Sequence, residues 1–524
     1  MNPELEVGER TRPGCGWPRL AASILRARLT RTLESFRCNR VFLEGTENCA
    51  RGGRAPLSAS GSRMTPVSLF LRALIISTVA SVFAISTTAA ESALVPPSYQ
   101  PIADRIIKRA TSEDFAYRRL AELCDKFGPR FSGSKNLEDA IDWCLAEMKK
   151  DGFQNVHGEK VMVPNWVRGR ESAQLVTPRS RNLPMLGLGG SIATPPEGIT
   201  ASVLVVNSFK DLQTRAADAK GKIIVFDVPY TEYRETVMIR VNGAIEAAKA
   251  GAVASLIRSV GPFSMQTPHT GGMRYDPNVK KIPHAAITIE DTMMLHRMQD
   301  RGETPVVRLH MTAKQLPDVE SRNVIADIVG TEHPEQIVIV SGHIDSWDVG
   351  TGAMDDGGGC LAAWEAARLI LKLGLKPKRT IRIVLWTNEE NGMAGAKTYR
   401  RDHKTDLRDH LLGIESDSGA FKPTGFGFAG SEKAMPYLQE IGQLLQPIRP
   451  ARLAWGCRGA DVMQLLTEGV PAMHLEVNRE RYFWFHHTDA DTIDKLTPKE
   501  VQECVAFMAV MAYVVADMPD RLPR

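Results

Sequence analysis

QIVIVSGHIDSWDVGTGAMDDGGGCLAAWEAARLILKLG, residues 336–374, joins an apolar strand to an apolar helix through a stretch rich in Gly, Asp and His. The apolar run Ile337–Val340 is continuous rather than alternating, the pattern of a strand buried on both faces. The unit repeats outward from there. NVIADIVG (323–330), TIRIVLWT (380–387), LLGIESD (411–417) and VPAMHLE (470–476) are expected strands. AGAKTYRRDH (394–403), MPYLQEIGQLLQ (435–446) and PKEVQECVAFMAVMAYVVADM (498–518) are expected helices. Strand–helix alternation with near-continuous apolar strands predicts an α/β fold, a mostly parallel sheet covered by helices on both faces. In such sheets ligands bind outside the carboxyl ends of the strands.

Upstream the pattern differs. AYRRLAELCDKF (116–127) and LEDAIDWCLAEMKKDGF (137–153) carry apolar residues at helical spacing, with the Gly/Pro/Ser loop FGPRFSGSKN (127–136) between them. VHGEKVMVPNWVRGRESAQLVT (156–177) alternates like strands. Residues 185–305 hold short apolar strands (SVLVVNSF, GKIIVFDV, AVASLIRS, PHAAITIE) and one Ala-rich helix near GAIEAAKAG, a pattern that predicts a small inserted β-rich domain. His269, His284 and His296 there share no ligand spacing and are expected to be structural or surface residues.

The 524 residues are 43% hydrophobic and 24% charged, ordinary for a globular protein, which excludes disorder, collagen and coiled coil as the main state. Residues 1–63 hold eleven Arg against six Glu, so the rest of the chain carries −1 of the overall +4 and gives no charge argument for nucleic acid or an anionic membrane. MTPVSLFLRALIISTVASVFAISTTAAES (64–92) has one Arg, an apolar run from Ala73 to Ile85 and then small residues, the form of a secretory leader cleaved after Ala90. The run falls short of the ~20 residues that span a bilayer, which weighs against the alternative of an uncleaved anchor. A leader belongs at a chain start, so Met64 is the expected start and 1–63 a non-native or disordered extension, the alternative being an extension with its own role. Beyond the leader five cysteines remain, an odd number without a CxxC pair, which indicates neither a disulfide framework nor a thiolate zinc site. Cys124 with Cys144 could form one bridge; free buried thiols are the other reading.

Five metal-ligating side chains fall just past separate strand ends. They are His343 after QIVIV, Asp355 at the entry to the next helix, Glu390 after TIRIVLWT with Glu389 beside it, Asp417 after LLGIE, and His487 after the last strand. Imidazole and carboxylate suit zinc. Two His and three carboxylates exceed the three protein ligands of one catalytic zinc and fit two metals sharing a carboxylate.

GHIDSWDVGTGAMDDGGG (342–359), LWTNEENG (385–392), ESDSG (415–419) and FHHTDADT (485–492) resemble the di-zinc aminopeptidase family. The wider stretches PKRTIRIVLWT, PTGFGFAGSEKA and YVVADM resemble a carboxypeptidase branch of it, over roughly 95–524. The resemblance implies a zinc exopeptidase fold with 91–184 as the N-terminal part of the peptidase domain, 185–305 as an inserted protease-associated-like domain and 306–524 as the catalytic domain. It implies two Zn2+, bridged by Asp355 and completed by His343, Glu390, Asp417 and His487. Glu389 would be the general base on a water whose pKa two metals lower. Asp345 would orient the His343 imidazole. Dipeptides or short peptides would be substrates of a secreted or periplasmic enzyme, and by analogy a homodimer. The alternatives are a zinc amidohydrolase or a single-zinc glutaminyl cyclase on the same fold, and a non-catalytic binding ectodomain, which should have lost ligands or base.

Neighbouring residues carry less. Asp356 follows the bridge. His486 is expected to be pocket wall or packing, since adjacent side chains rarely point the same way. Asp348 and Asp461 serve equally as caps. Trp347 and Tyr482–Phe485 fit packing more often than a pocket, and Arg458, Arg479 and Arg481 are candidates for a substrate carboxylate. Asn388, Asn391 and the TDAD after His487 depart from the family pattern without removing a ligand, and bear on the substrate pocket.

Overall fold

The computed structural model describes residues 93–524, so the leader expected at 64–90 and residues 1–63 lie outside the described residues. Two eight-stranded sheets carry the chain. The first has four parallel strands at its centre, in spatial order Arg379–Trp386, His333–His343, His410–Glu415 and Ala472–Val477. They are buried along most of their length, which is why they read as continuous apolar runs. The flanks are antiparallel. Lys314–Ile328 and Gln154–Val167 extend one side, Pro423–Ala429 the other, with Arg452–Trp455 parallel to it at the edge. The sheet is therefore mixed, and the expected parallel arrangement holds for its centre alone. The reason is physical: burial on both faces makes NVIADIVG largely apolar, with Val324, Ile325, Ala326 and Ile328 all buried, and such a run carries no information about strand direction.

The helices Gly358–Lys372 and Pro498–Asp517 pack against each other in the main core. The second is apolar nearly all round because it is buried nearly all round. Its start is set by Pro498 in the first turn and by the Thr497 side chain, which accepts from the Glu500 amide at 3.3 Å. The helices Tyr99–Ala110, Phe115–Phe127 and Lys135–Asp151 close the same core; in the first, Tyr99, Ala103, Ile106, Ile107 and Ala110 form the buried stripe that the periodicity requires. The other face is covered by Ala394–Asp402, where Tyr399 meets Trp386 edge-on at 5.4 Å. No helix among the described residues is long and apolar enough to cross a membrane.

The second sheet takes its strands from Glu171 to Met311, wider at both ends than the 185–305 read from sequence. Its centre is again parallel, Ile199–Val206, Ile223–Phe226, Ala254–Arg258 and His284–Ile287, with the helices Phe209–Thr214, Met238–Lys249 and Ile289–Asp300 on its faces. It is an α/β layer rather than a β-rich one; two of those helices lack a strong amphipathic pattern. The two sheets are joined by a two-stranded connection. Val167 pairs with Lys314 in the first sheet, and Glu171 pairs with Met311 in the second. Phe131, Trp166, Leu186, Ala313, Trp347 and Val349 form a small core at the junction. Gly189 is needed there, since a Cβ would sit 2.2 Å from the Trp347 ring. All five described cysteines are free, so Cys124 and Cys144 form no bridge.

Candidate metal centre

Register brings three strand ends to one level: His343 lies opposite Trp386, and Ser341 opposite Glu415. Loops leaving these ends carry Glu389, Glu390 and Asp417, the turn before Gly358–Lys372 carries Asp355, and the segment after Ala472–Val477 carries His487. The side chains converge in two groups around one carboxylate. Asp355 Oδ1 lies 3.3 Å from His343 Nε2, and Asp417 Oδ1 lies 3.6 Å from the same nitrogen. Asp355 Oδ2 lies 3.4 Å from His487 Nε2, with Glu390 Oε2 at 3.0 Å. Asp355, at the centre, is buried.

Electrostatics follow from that crowding. Burial alone would depress His343, but the carboxylates of Asp345, Asp355 and Asp417 carry it well above the ordinary imidazole value. His487 is likewise opposed by burial yet raised to about 9 by Glu390 and Asp355. Burial, then the charge of Asp355, pushes Glu390 up to about 7. Burial holds Glu389 well above the usual carboxylate range.

The supports differ from expectation at Asp345. The His343 Nδ1 bonds the Asp345 main-chain carbonyl at 2.9 Å, while the nearest Asp345 carboxylate oxygen is 3.6 Å away. That carboxylate accepts from the amides of Glu389 at 3.0 Å and Glu390 at 3.3 Å, and so fixes the acidic loop. Asn388 sets the loop's turn at φ 66°, a conformation Asn tolerates, and bonds Ser132 at 2.9 Å. Asp356, joined to Asp355 by a cis peptide, accepts from the His343 and Gly359 amides, each at 3.1 Å.

His486 does not point away from His487. The rings stack at 3.5 Å, and His486 Nε2 lies 3.5 Å from Asp355 Oδ2. The cause is His487, whose φ of 60° turns the chain out of the extended form in which adjacent side chains alternate. Asp461 makes no cap: its carboxylate is buried without a hydrogen-bond partner, and Glu415 accepts from the Val462 amide at 2.8 Å instead. Asp348 pairs with Arg168.

Some supports escaped the sequence reading. Asp491 accepts from the Met354 amide at 2.7 Å and the Asp355 amide at 3.1 Å; its signal was its place four residues after His487. Arg130, fully buried, donates to the carbonyls of Ile344, Thr351 and Gly352 and pins the loop between His343 and Asp355. Nothing in the FGPRFSGSKN loop marks it for that role.

A cavity of about 1120 Å³ opens onto Asp355, Glu389, Glu390, Asp417 and His487. Tyr233, Trp455, Tyr482 and Phe483 line it, as do Arg458 and Arg479. Arg458 is paired with Glu476 at 2.7 Å and Arg481 with Glu500 at 2.7 Å. Arg479 has no ion pair or side-chain hydrogen bond among the described residues, and burial together with Arg458 lowers its pKa.

Residues 323–512 match peptidase family M28. The chain is 50% identical over 430 residues to Carboxypeptidase Q of Mus musculus, covering 82% of this chain and 92% of that one. It is 51% identical to the human Carboxypeptidase Q, over 79% and 88%. The crystal structure of a peptidase M28 precursor from Shewanella amazonensis superposes with a TM-score of 0.79 at 35% identity, over 82% of this chain and 98% of that one. With most of its length matched at half identity, the chain belongs to peptidase family M28, in its carboxypeptidase Q branch, and is a metallo-exopeptidase.

Proposed function

We propose that this protein is a secreted or periplasmic zinc exopeptidase acting on dipeptides and other short peptides. It holds two zinc ions between His343, Asp355, Glu390, Asp417 and His487, with Glu389 as general base. The observation that carries this is Asp355, whose two oxygens face two imidazoles from different segments, 3.3 Å to His343 and 3.4 Å to His487. That is the disposition of a carboxylate serving two cations at once.

The donors fit zinc. Imidazole and carboxylate oxygen are its ordinary ligands, and Cys457, which also lines the cavity, belongs to neither group of converging ligand side chains among the described residues. Asp355 Oδ2 and Glu390 Oε1 are buried without a hydrogen-bond partner, a costly condition for a carboxylate that a cation relieves. When bound, two zinc ions supply a water of lowered pKa and a Lewis acid for the scissile carbonyl.

The chain's own residues supply the rest. Glu389 takes the attacking water's proton and delivers it to the leaving amine. The Asp345 carboxylate, gripping the amides of both glutamates, keeps Glu389 and Glu390 on their separate tasks. Asp491 anchors the main chain under Asp355. Arg479, without an ion pair among the described residues and facing the cavity, receives the substrate's terminal carboxylate, while the aromatic walls supplied by Tyr230 and Tyr233 and by Tyr482 and Phe483 exclude water. The 185–305 unit is accordingly a protease-associated-like domain that roofs the site, and residues 64–90 direct export.

The test is a zinc titration of purified protein with a substrate panel of free, N-blocked and C-amidated dipeptides. Two zinc per chain at full activity, with C-amidation abolishing turnover, is expected. Full activity with one zinc would refute the two-metal site.

A further inference from the structure

The two imidazoles at the centre are held from different sides. His343 is oriented within its own sheet by the Asp345 carbonyl at 2.9 Å. His487 is held by the second sheet's unit. The Thr270 carbonyl lies 3.3 Å from its Nδ1, and the Thr270 amide donates to the His487 carbonyl at 2.9 Å. This reciprocal pair also restrains a backbone with φ 60°, disfavoured for any residue with a Cβ.

Thr270 is itself pinned. Its hydroxyl donates to the Gly187 carbonyl at 2.9 Å, and Arg240 Nη1 donates to its carbonyl at 3.1 Å. Arg240 is 6% exposed and has no carboxylate within ion-pair distance among the described residues. Its other guanidinium contact is the Tyr233 hydroxyl at 2.9 Å, and Nη1 also lies 3.4 Å from His487 Nδ1. The room it occupies exists because residue 271 is glycine: a Cβ there would sit 2.2 Å from Nη1. An unpaired buried cation is expensive, so a fold that carves space for one puts it to use.

We propose that Arg240 is a positioning residue of the metal centre. By holding the Thr270 carbonyl against Nδ1 of His487, it fixes the tautomer and direction in which Nε2 faces Asp355 and Glu390. The second sheet's unit thereby builds one half of the centre as well as covering it. Carbonyl partners of this kind tune a ligating imidazole in metal sites generally. The inference rests on the proposed two-zinc site.

The experiment compares the zinc-loaded full chain with Arg240→Met and Arg240→Lys. Zinc dissociation is read by chelator competition, the electronic spectrum after cobalt substitution, and folding by thermal melting. Arg240→Met should release one of two zinc ions about 10–100-fold more readily, the range for loss of such support, and shift the cobalt spectrum. Arg240→Lys, which keeps a donor for the Thr270 carbonyl, should recover most of the affinity. A folded Arg240→Met with wild-type zinc affinity and spectrum overturns the proposal, and so does a lysine variant as weak as the methionine one. If Arg240→Met does not fold, Arg240→Leu, which likewise lacks a donor, replaces it, and affinities equal across Arg, Lys and Leu overturn the proposal equally. Wild-type protein that holds no zinc sinks the two-zinc reading and this inference with it; wild-type protein holding two, beside an unaffected variant, sinks this inference alone.

Discussion

Both sheets bury histidines on their central parallel strands, and two of them, one from each sheet, make the contrast. His343 closes His333–His343, and His284 opens His284–Ile287. Both are almost fully buried. His284 meets only neutral partners, the Ser255 hydroxyl at 2.6 Å and the carbonyls of Ser255 and Arg240 at 3.3 and 3.2 Å. Burial then takes it down to about 4 and leaves it uncharged. His343, equally buried, has carboxylates at 3.3 and 3.6 Å and is driven the other way. The same fold physics thus yields a structural imidazole in one sheet and a proposed metal ligand in the other. The difference lies in the acids carried by neighbouring strand ends, so neither a buried histidine nor a parallel sheet is evidence of a site by itself.

The severest test removes the acid that both groups share. Asp355→Ala should abolish turnover and take zinc content towards zero rather than one per chain, measured by metal analysis. A variant holding one tight zinc would break the shared-carboxylate contrast between the sheets. Glu389→Gln should lower kcat by about 10²–10⁴-fold with zinc content kept, the cost of losing a general base. Glu390→Gln should lose metal instead, and the reverse pattern would exchange the two roles. Arg479→Ala should raise KM for free dipeptides about 10–100-fold with kcat little changed, since a hydrogen bond to a charged group contributes about 1.5–3 kcal/mol. Equal KM for Arg479→Ala and wild type would move the carboxylate anchor elsewhere.

The mildest test is His284→Gln, expected to keep two zinc per chain and to lose about 1–3 kcal/mol of stability with its hydrogen bonds, read by thermal melting. It also carries a pH signature. A depressed histidine binds its proton more tightly in the unfolded chain, so its contribution is present above about 6.5 and is lost as pH falls towards about 4. Melting between those values should fall less steeply in His284→Gln than in wild type. Zinc loss in that variant would mean the second sheet's histidine is not merely structural.

The central strands and the acids past their ends were legible in sequence because both are local facts: a continuous apolar run, then a ligand-type side chain a few residues on. What sequence concealed is set by tertiary contact. The antiparallel flanks hide because Val324 and Ile325 are apolar whichever way their strand runs. The stacked His486 depends on a left-handed turn at His487, a residue that does not advertise one. Asp345 was read as the partner of His343 because it stands two residues on, but its main chain performs that task and its carboxylate another. Arg130 and Arg240 act on main-chain carbonyls hundreds of residues away in one case and about thirty in the other, and a carbonyl leaves no mark in a sequence.

The cysteines bear on where such a protein can work. With five free thiols and no bridge among the described residues, the fold from residue 93 onward owes nothing to an oxidant. Burial lifts Cys124 to about 11 and Cys144 to about 12, so both stay protonated and slow to react. The fold of the described residues therefore stands without a disulfide. Dithiothreitol, at concentrations too low to strip zinc, should leave its melting temperature where it was; on the proposed two-zinc site, its dependence on surroundings passes from redox poise to the supply of metal.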